Sequence, residues 1–175
     1  VKELKVTGTS TINTTTITTT GIQTYDDAVT LGANVTLTAK DGDDNYTVTF
    51  EGKINGNTNS TNHSLTITGN AVFGNDVNDT VTGVSELKVT GTSTINTTTI
   101  TTTGDQTYGG DVTLGADITL TAKNASNELQ TVTFNGMVAG NSKNLTIEGD
   151  AVFGNSADDT VTGVKELKVT GTSTI

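Results

Sequence analysis

The sequence contains no cysteine, no proline, no tryptophan and no arginine, and only one histidine in 175 residues. Without cysteine there are no disulfide staples and no thiolate zinc sites. Without proline, strand ladders can run uninterrupted. All nine basic residues are lysine, set against 19 acidic ones for a formal net charge of −10. The Lys/Arg patches that nucleic acid requires are therefore missing. The same charge keeps the chain soluble and away from anionic surfaces. No run approaches the roughly 18 consecutive apolar residues of a membrane-spanning helix. The chain opens at Val1 without a signal-peptide pattern and stops inside a motif, which reads as a piece of something longer.

What fills the space is threonine, about a quarter of the chain, with glycine and asparagine. Threonine is β-branched and stiff at χ1, so it suits a pleated strand better than a helix. Short runs such as LKVTG (4–8), VTLTA (35–39), TVTF (47–50) and LTITG (65–69) alternate an apolar residue with Thr or Lys. That period of two marks half-buried strands. Asn/Asp/Gly clusters between them mark turns.

The strands are organised in a long repeat. VKELKVTGTSTINTTTITTTG from Val1 returns as VSELKVTGTSTINTTTITTTG from Val84, and VKELKVTGTSTI begins again at Val164. The units are residues 1–83, 84–163 and the first part of a third, 164–175. Their length difference lies between Lys40 and Leu65, in polar stretches that tolerate insertion. A unit divided by four gives about 20 residues, the size of one coil of a β-solenoid. The expected fold is all-β: a parallel β-helix of about 20-residue coils, four per repeat, running as one continuous solenoid. A tandem array of β-sandwiches is the alternative. The threonine-rich run needs only Ile12 and Ile17, with Ile95 and Ile100 in the second unit, to face inward. Those isoleucines are an odd number of residues apart, so a corner near Asn13 must separate them. The expected core rows are Leu4, Val6, Val35, Leu37, Val48, Phe50, Leu65, Ile67, Val72 and Phe73, with their second-unit partners.

The order QTYxxxVTLGAxxTLTA, TVTFxGxIxG, SLTIxGxAVFG and then ELKVTG resembles the shaft repeats of filamentous-haemagglutinin-like surface proteins, made by two-partner secretion, and of related autotransporter passengers. The resemblance covers nearly the whole chain. It implies a right-handed parallel β-helix, secretion unfolded through an outer-membrane pore, and an extracellular place on a bacterial surface. The role implied is a stalk that projects a distal binding region in adhesion or biofilm formation. Its partners would be other repeats of the same chain, and host-cell or matrix glycans or proteins.

Catalytic and ligand sites are sparsely signalled. His63 is alone, and the second unit deletes its loop, so an acid–base pair or triad has no evident partner. The adjacent pair Asp158–Asp159 matches Asn78–Asp79, and neighbouring strand residues point to opposite faces. An enzyme is not expected, nor a resident cofactor or metal. DGDDN (41–45) starts like a calcium loop, but Tyr46 stands where that loop needs glycine and the twelfth position lacks Glu. Thr arrays on β-helices can bind ice, but Glu148, Lys5 and Lys88 place charge in them, and strand propensity accounts for the threonines. If each repeat instead held a glycan or matrix ligand, Gln23 and Tyr25 with Gln106 and Tyr108 would be the contacts, though packing is the simpler role for those tyrosines. A self-assembling surface-layer or filament protein is the remaining reading of an acidic, Thr/Asn/Gly-rich chain.

Overall fold

Most strands of this chain are too short to hold themselves, so each must find hydrogen-bonding partners far away in sequence. The computed structural model describes all 175 residues, and shows how they do so: the chain winds into a solenoid whose long-range strand pairs are parallel. Leu4–Val6, Ser10–Ile12 and Thr16–Thr19 make the three sides of the first coil. Gln23–Tyr25, Val29–Leu31 and Val35–Asp41 lie against them in the second. The first face continues through Thr47–Phe50, Asn70–Phe73, Ser93–Ile95, Val112–Leu114, Val138–Ala139 and Val161–Thr162, eight strands for eight coils. Thr80–Val89 turns a corner without losing strand geometry, serving the second face with its start and the third with its end. At about 4.8 Å per coil the rod is roughly 38 Å long. Parallel pairing between all the coils excludes the tandem-sandwich alternative, which requires antiparallel sheets.

The coils are longer than the expected 20 residues. The step is 19 residues from Leu4 to Gln23 and 27 from Leu120 to Ile147, and about 22 on average. Each repeat contributes eleven strands to the three faces. Eleven strands laid three to a coil make three and two-thirds coils, so a repeat ends one face short of a whole number. Leu4 therefore stands on the first face beside Gln23, its counterpart Leu87 on the third between Leu65 and Gln106, and Leu167 on the second beside Leu145. Identical sequence is folded identically on successive sides of the rod.

Inside, 33 buried residues form one continuous cluster across the boundary between the units. Ile12, Ile95 and Ile100 point inward, and Asn13 opens the expected corner. Phe50 and Phe73 stack above Tyr25 with ring centroids 5.2 and 6.1 Å apart, near the coil spacing. Tyr108, Phe134 and Phe153 repeat the stack at 5.3 and 5.4 Å, on a different face. Val72 departs from expectation. It lies half-buried on the outer row, paired with Thr49 and Thr94, while Ala71 and Phe73 face inward. With a period of two, neighbours cannot both enter the core, and the larger Phe73 decides the parity.

Corners rely on asparagine lying over glycine. A Cβ on Gly32 would fall on the side-chain oxygen of Asn13 in the coil before it, and one on Gly115 on that of Asn96. The insertion-tolerant stretches are extrusions from the rod. In the first unit they are antiparallel hairpins, Asp41 against Asp44 and Thr58 against Thr61. In the second unit the first extrusion is one residue longer and the other is cut to a turn at Asn141 and Ser142, both at positive φ.

Candidate functional site

Two side-chain constellations recur in both units, one inside the rod and one on its surface. The inner one begins with a parity rule: Gln23 and Tyr25 are two apart on one strand, so they share a face. That face is the interior, where they are 0% and 1% exposed. Tyr25 donates its hydroxyl to Oε1 of Gln23 at 3.2 Å. Gln23 Nε2 donates to Thr19 Oγ1, in the preceding coil, at 3.2 Å and to the Thr38 carbonyl, on the third side of its own coil, at 2.8 Å. Thr19 in turn donates to the Gly21 carbonyl at 2.7 Å. In the second unit Tyr108, Gln106, Thr102, Gly104 and the Thr121 carbonyl repeat every link at 2.6 to 3.3 Å. Burial pushes the Tyr25 hydroxyl up to about 12, and drives that of Tyr108 higher still.

The four residues marked as possible ligand contacts are thus core residues whose polar atoms are already engaged with one another. The folded chain presents none of them to a ligand, and packing is their role. Thr19 and Thr102 complete the network, and nothing in the sequence pattern singles them out. The available signal is the unbroken TTTG before each glutamine, where only one of three threonines turns inward.

The other sequence-marked residues are dispersed. His63 sits half-buried beside the Asn57–Asn62 hairpin, its Nε2 2.8 Å from Thr58 Oγ1. Because Thr58 also donates to the Leu31 carbonyl at 3.1 Å, the ring nitrogen is the donor of that pair. Asp41–Asn45 is an exposed hairpin turning at Gly42. Asp159 accepts the backbone N–H groups of Asn155 and Ser156 at 2.9 and 3.0 Å, closing its own loop, and Asp79 does the same for Asn75 and Asp76. No three His, Cys, Asp or Glu side chains converge as a metal cage.

The surface constellation is threonine. On the third face Thr16, Thr36 and Thr66 follow one another coil by coil, beside Thr18, Thr38 and Thr68. Lys88 ends the first row. In the second unit the equivalent rows stand on the second face, as Thr99, Thr119 and Thr146, and Thr101 and Thr121. The shorter row ends at Glu148, which pairs with Lys123 at 2.9 Å. Two shallow hollows lie against the terminal coils, around Tyr46 and around Leu167. Chemically the arrangement offers hydroxyl rows, scattered carboxylates and a backbone ladder. No protein-family model, no curated protein and no solved structure matches this chain.

Proposed function

We propose that this chain is a segment of the shaft of a secreted bacterial cell-surface adhesin, of the filamentous-haemagglutinin-like kind its repeats resemble. The observation that carries the reading is the unbroken core, in which one repeat passes into the next with no gap in strand pairing. Such a solenoid is quasi-one-dimensional, so its length grows with repeat number and its stability accumulates coil by coil. Each repeat adds three and two-thirds coils, roughly 18 Å of reach at the strand spacing. The burial of the recurring glutamines and tyrosines also favours a spacer, because these residues, common to both units, serve packing. The work done is mechanical: a backbone-bonded rod holds a distal binding region away from the cell for adhesion or biofilm formation.

The test is binding of the purified, folded chain to host cells and to polysaccharides, with and without calcium, alongside light scattering. A monomer that binds none of them is expected. Saturable binding would replace the shaft with a repeat-borne binding module. Calcium-dependent assembly would replace it with a lattice protein.

A further inference from the structure

One loop in each repeat is longer than its place in the rod requires. Between Phe50 and Ile54, between Ile95 and Thr99 and between Leu114 and Ile118 the chain rounds the same corner in three residues. One coil above the first of these it takes six, Gly74–Asp79, to pass from Asn70–Phe73 to Thr80–Val89. Asp79 Oδ2 closes this loop from within by accepting the N–H groups of Asn75 and Asp76. Its carbonyl groups are served differently. A strand hands its carbonyls to the ladder, but those of Gly74, Val77 and Asp79 receive no main-chain N–H. Three consecutive side chains of the next coil take them instead. Asn96 Nδ2 donates to the Gly74 carbonyl at 3.0 Å, Thr97 Oγ1 to that of Asp79, and Thr98 Oγ1 to that of Val77 at 2.9 Å. Thr97 is fully buried, and a Cβ on Gly74 would come within 3.3 Å of its own Cβ. The loop ends the first repeat and the three side chains belong to the second.

Each half of this joint also occurs alone in the chain. Gly154–Asp159 is the same loop in the second unit, with φ of +79° at Gly154 against +76° at Gly74, and Asp159 closes it through the same two N–H contacts. No Asn-Thr-Thr corner lies over it, and a hollow of about 280 Å³ opens there, lined by Phe153, Gly154, Asp159 and Val161 among others. Phe153 is 8% exposed, whereas Phe73 is 0%. Asn13–Thr15 is the same corner in the first unit, with no such loop beneath it. All three residues are exposed, and the Thr14 hydroxyl reaches only the Thr16 carbonyl, at 3.4 Å. The loop thus holds its shape without the corner. Only the pairing of the two closes the wall of the rod.

We propose that the Asn-Thr-Thr corner is an inter-repeat clasp: side chains that open one repeat fasten the loop that ends the repeat before it. Side chain to main-chain bonds of this kind satisfy carbonyls that no ladder reaches. Unfastening the clasp frees the loop while the strands on either side of it stay paired. The threonine-rich run therefore has a task that strand propensity does not supply, confined to the asparagine and the two threonines after it. The clasp follows from the junction itself and holds whether or not the chain serves as a shaft.

Native-state hydrogen exchange of the full chain, read by mass spectrometry on proteolytic fragments, tests the clasp. Thr97→Val with Thr98→Val keeps two β-branched side chains and removes both hydroxyls. Exchange across residues 75–82 should rise roughly tenfold, the scale of two lost hydrogen bonds, with no change in fragments covering 35–41 or 131–134. Thr14→Val with Thr15→Val makes the same change in the same sequence, where no loop is held, and should leave 75–82 as it was. Thr98→Val alone leaves the buried Thr97 intact, so it secures the result if the double variant does not fold. It should accelerate 75–82 about threefold, the scale of one hydrogen bond. Unchanged exchange at 75–82 would overturn the clasp. So would acceleration spread evenly along the chain, which would make the corner a general stabiliser, or an equal effect from the change at Thr14 and Thr15.

Discussion

Tyr108 donates its hydroxyl hydrogen to Oε1 of Gln106 at 3.1 Å, in a rod interior that screens both residues fully from solvent. The phenol is therefore held in its neutral form by burial, and the glutamine is held in orientation by the phenol. Consequences for stability and for pH follow from that pair and its twin at Tyr25 and Gln23.

Alkaline pH should unfold the rod. The unfolded chain releases tyrosine protons near pH 10, whereas Tyr25 in the folded chain holds its proton to about pH 12 and Tyr108 longer. Above pH 10 the folded state binds more protons than the unfolded state, so stability falls as pH rises and is fully present below pH 10. The slope should reach about 1.4 kcal/mol per pH unit for each buried tyrosine. Urea titrations from about pH 9 to about pH 12 measure it. The double variant Tyr25→Phe with Tyr108→Phe should flatten the curve, and an unflattened curve would refute the assignment.

Gln106→Ala removes the acceptor of a buried hydroxyl and opens a cavity. A loss of about 2–4 kcal/mol is expected, combining the orphaned tyrosine hydroxyl with the missing volume. The denaturation midpoint should drop with little change in slope.

Ser93 should be better as alanine. The residue is 1% exposed and its hydroxyl finds no hydrogen-bond partner, in a row between Ala71 and Val112. Ser93→Ala should raise stability by about 1 kcal/mol, the scale of an unsatisfied buried hydroxyl. A thermal melt shifted downward would contradict this.

Gly115→Ala should destabilise the corner by about 1–3 kcal/mol, because the new methyl group collides with Asn96 Oδ1. Asn96→Ala alone should also destabilise, since Asn96 Nδ2 donates to the Gly74 carbonyl at 3.0 Å. The two losses should not add: with Asn96 truncated the methyl group has room. A double-mutant cycle reads the coupling, and strict additivity would mean that the contact is unimportant.

The period-two alternation in LKV, VTLTA and TVTF is enough to read the strand faces and the continuous solenoid. The parity of Ile12 and Ile17 is enough to place a corner between them. Coil length is harder, because two-residue strands such as Ile54–Asn55 and Val138–Ala139 look like turn sequence until their neighbours are seen. Val72 misleads because valine is apolar and next to Phe73; only pairing with Thr49 and Thr94 shows which of the two faces out. Gln23 shares its inward parity with Tyr25, so the strand pattern places it correctly, but a glutamine facing the core is chemically intelligible only once Thr19 and the Thr38 carbonyl are beside it. Those partners sit on the last strand of the preceding coil and on the third side of the same coil, and neither is encoded by local spacing.

The missing twelfth strand turns the rod into a spiral staircase. Each repeat sets down its hairpins, threonine rows and lysines one side further round, and three repeats, thirty-three strands in eleven coils, bring the pattern back to its starting side. A rod of three or more repeats thus shows every recurring feature in all three directions, and no side of it is a privileged front. Loss or gain of a single repeat does more than change reach: everything beyond it swings by a third of a turn.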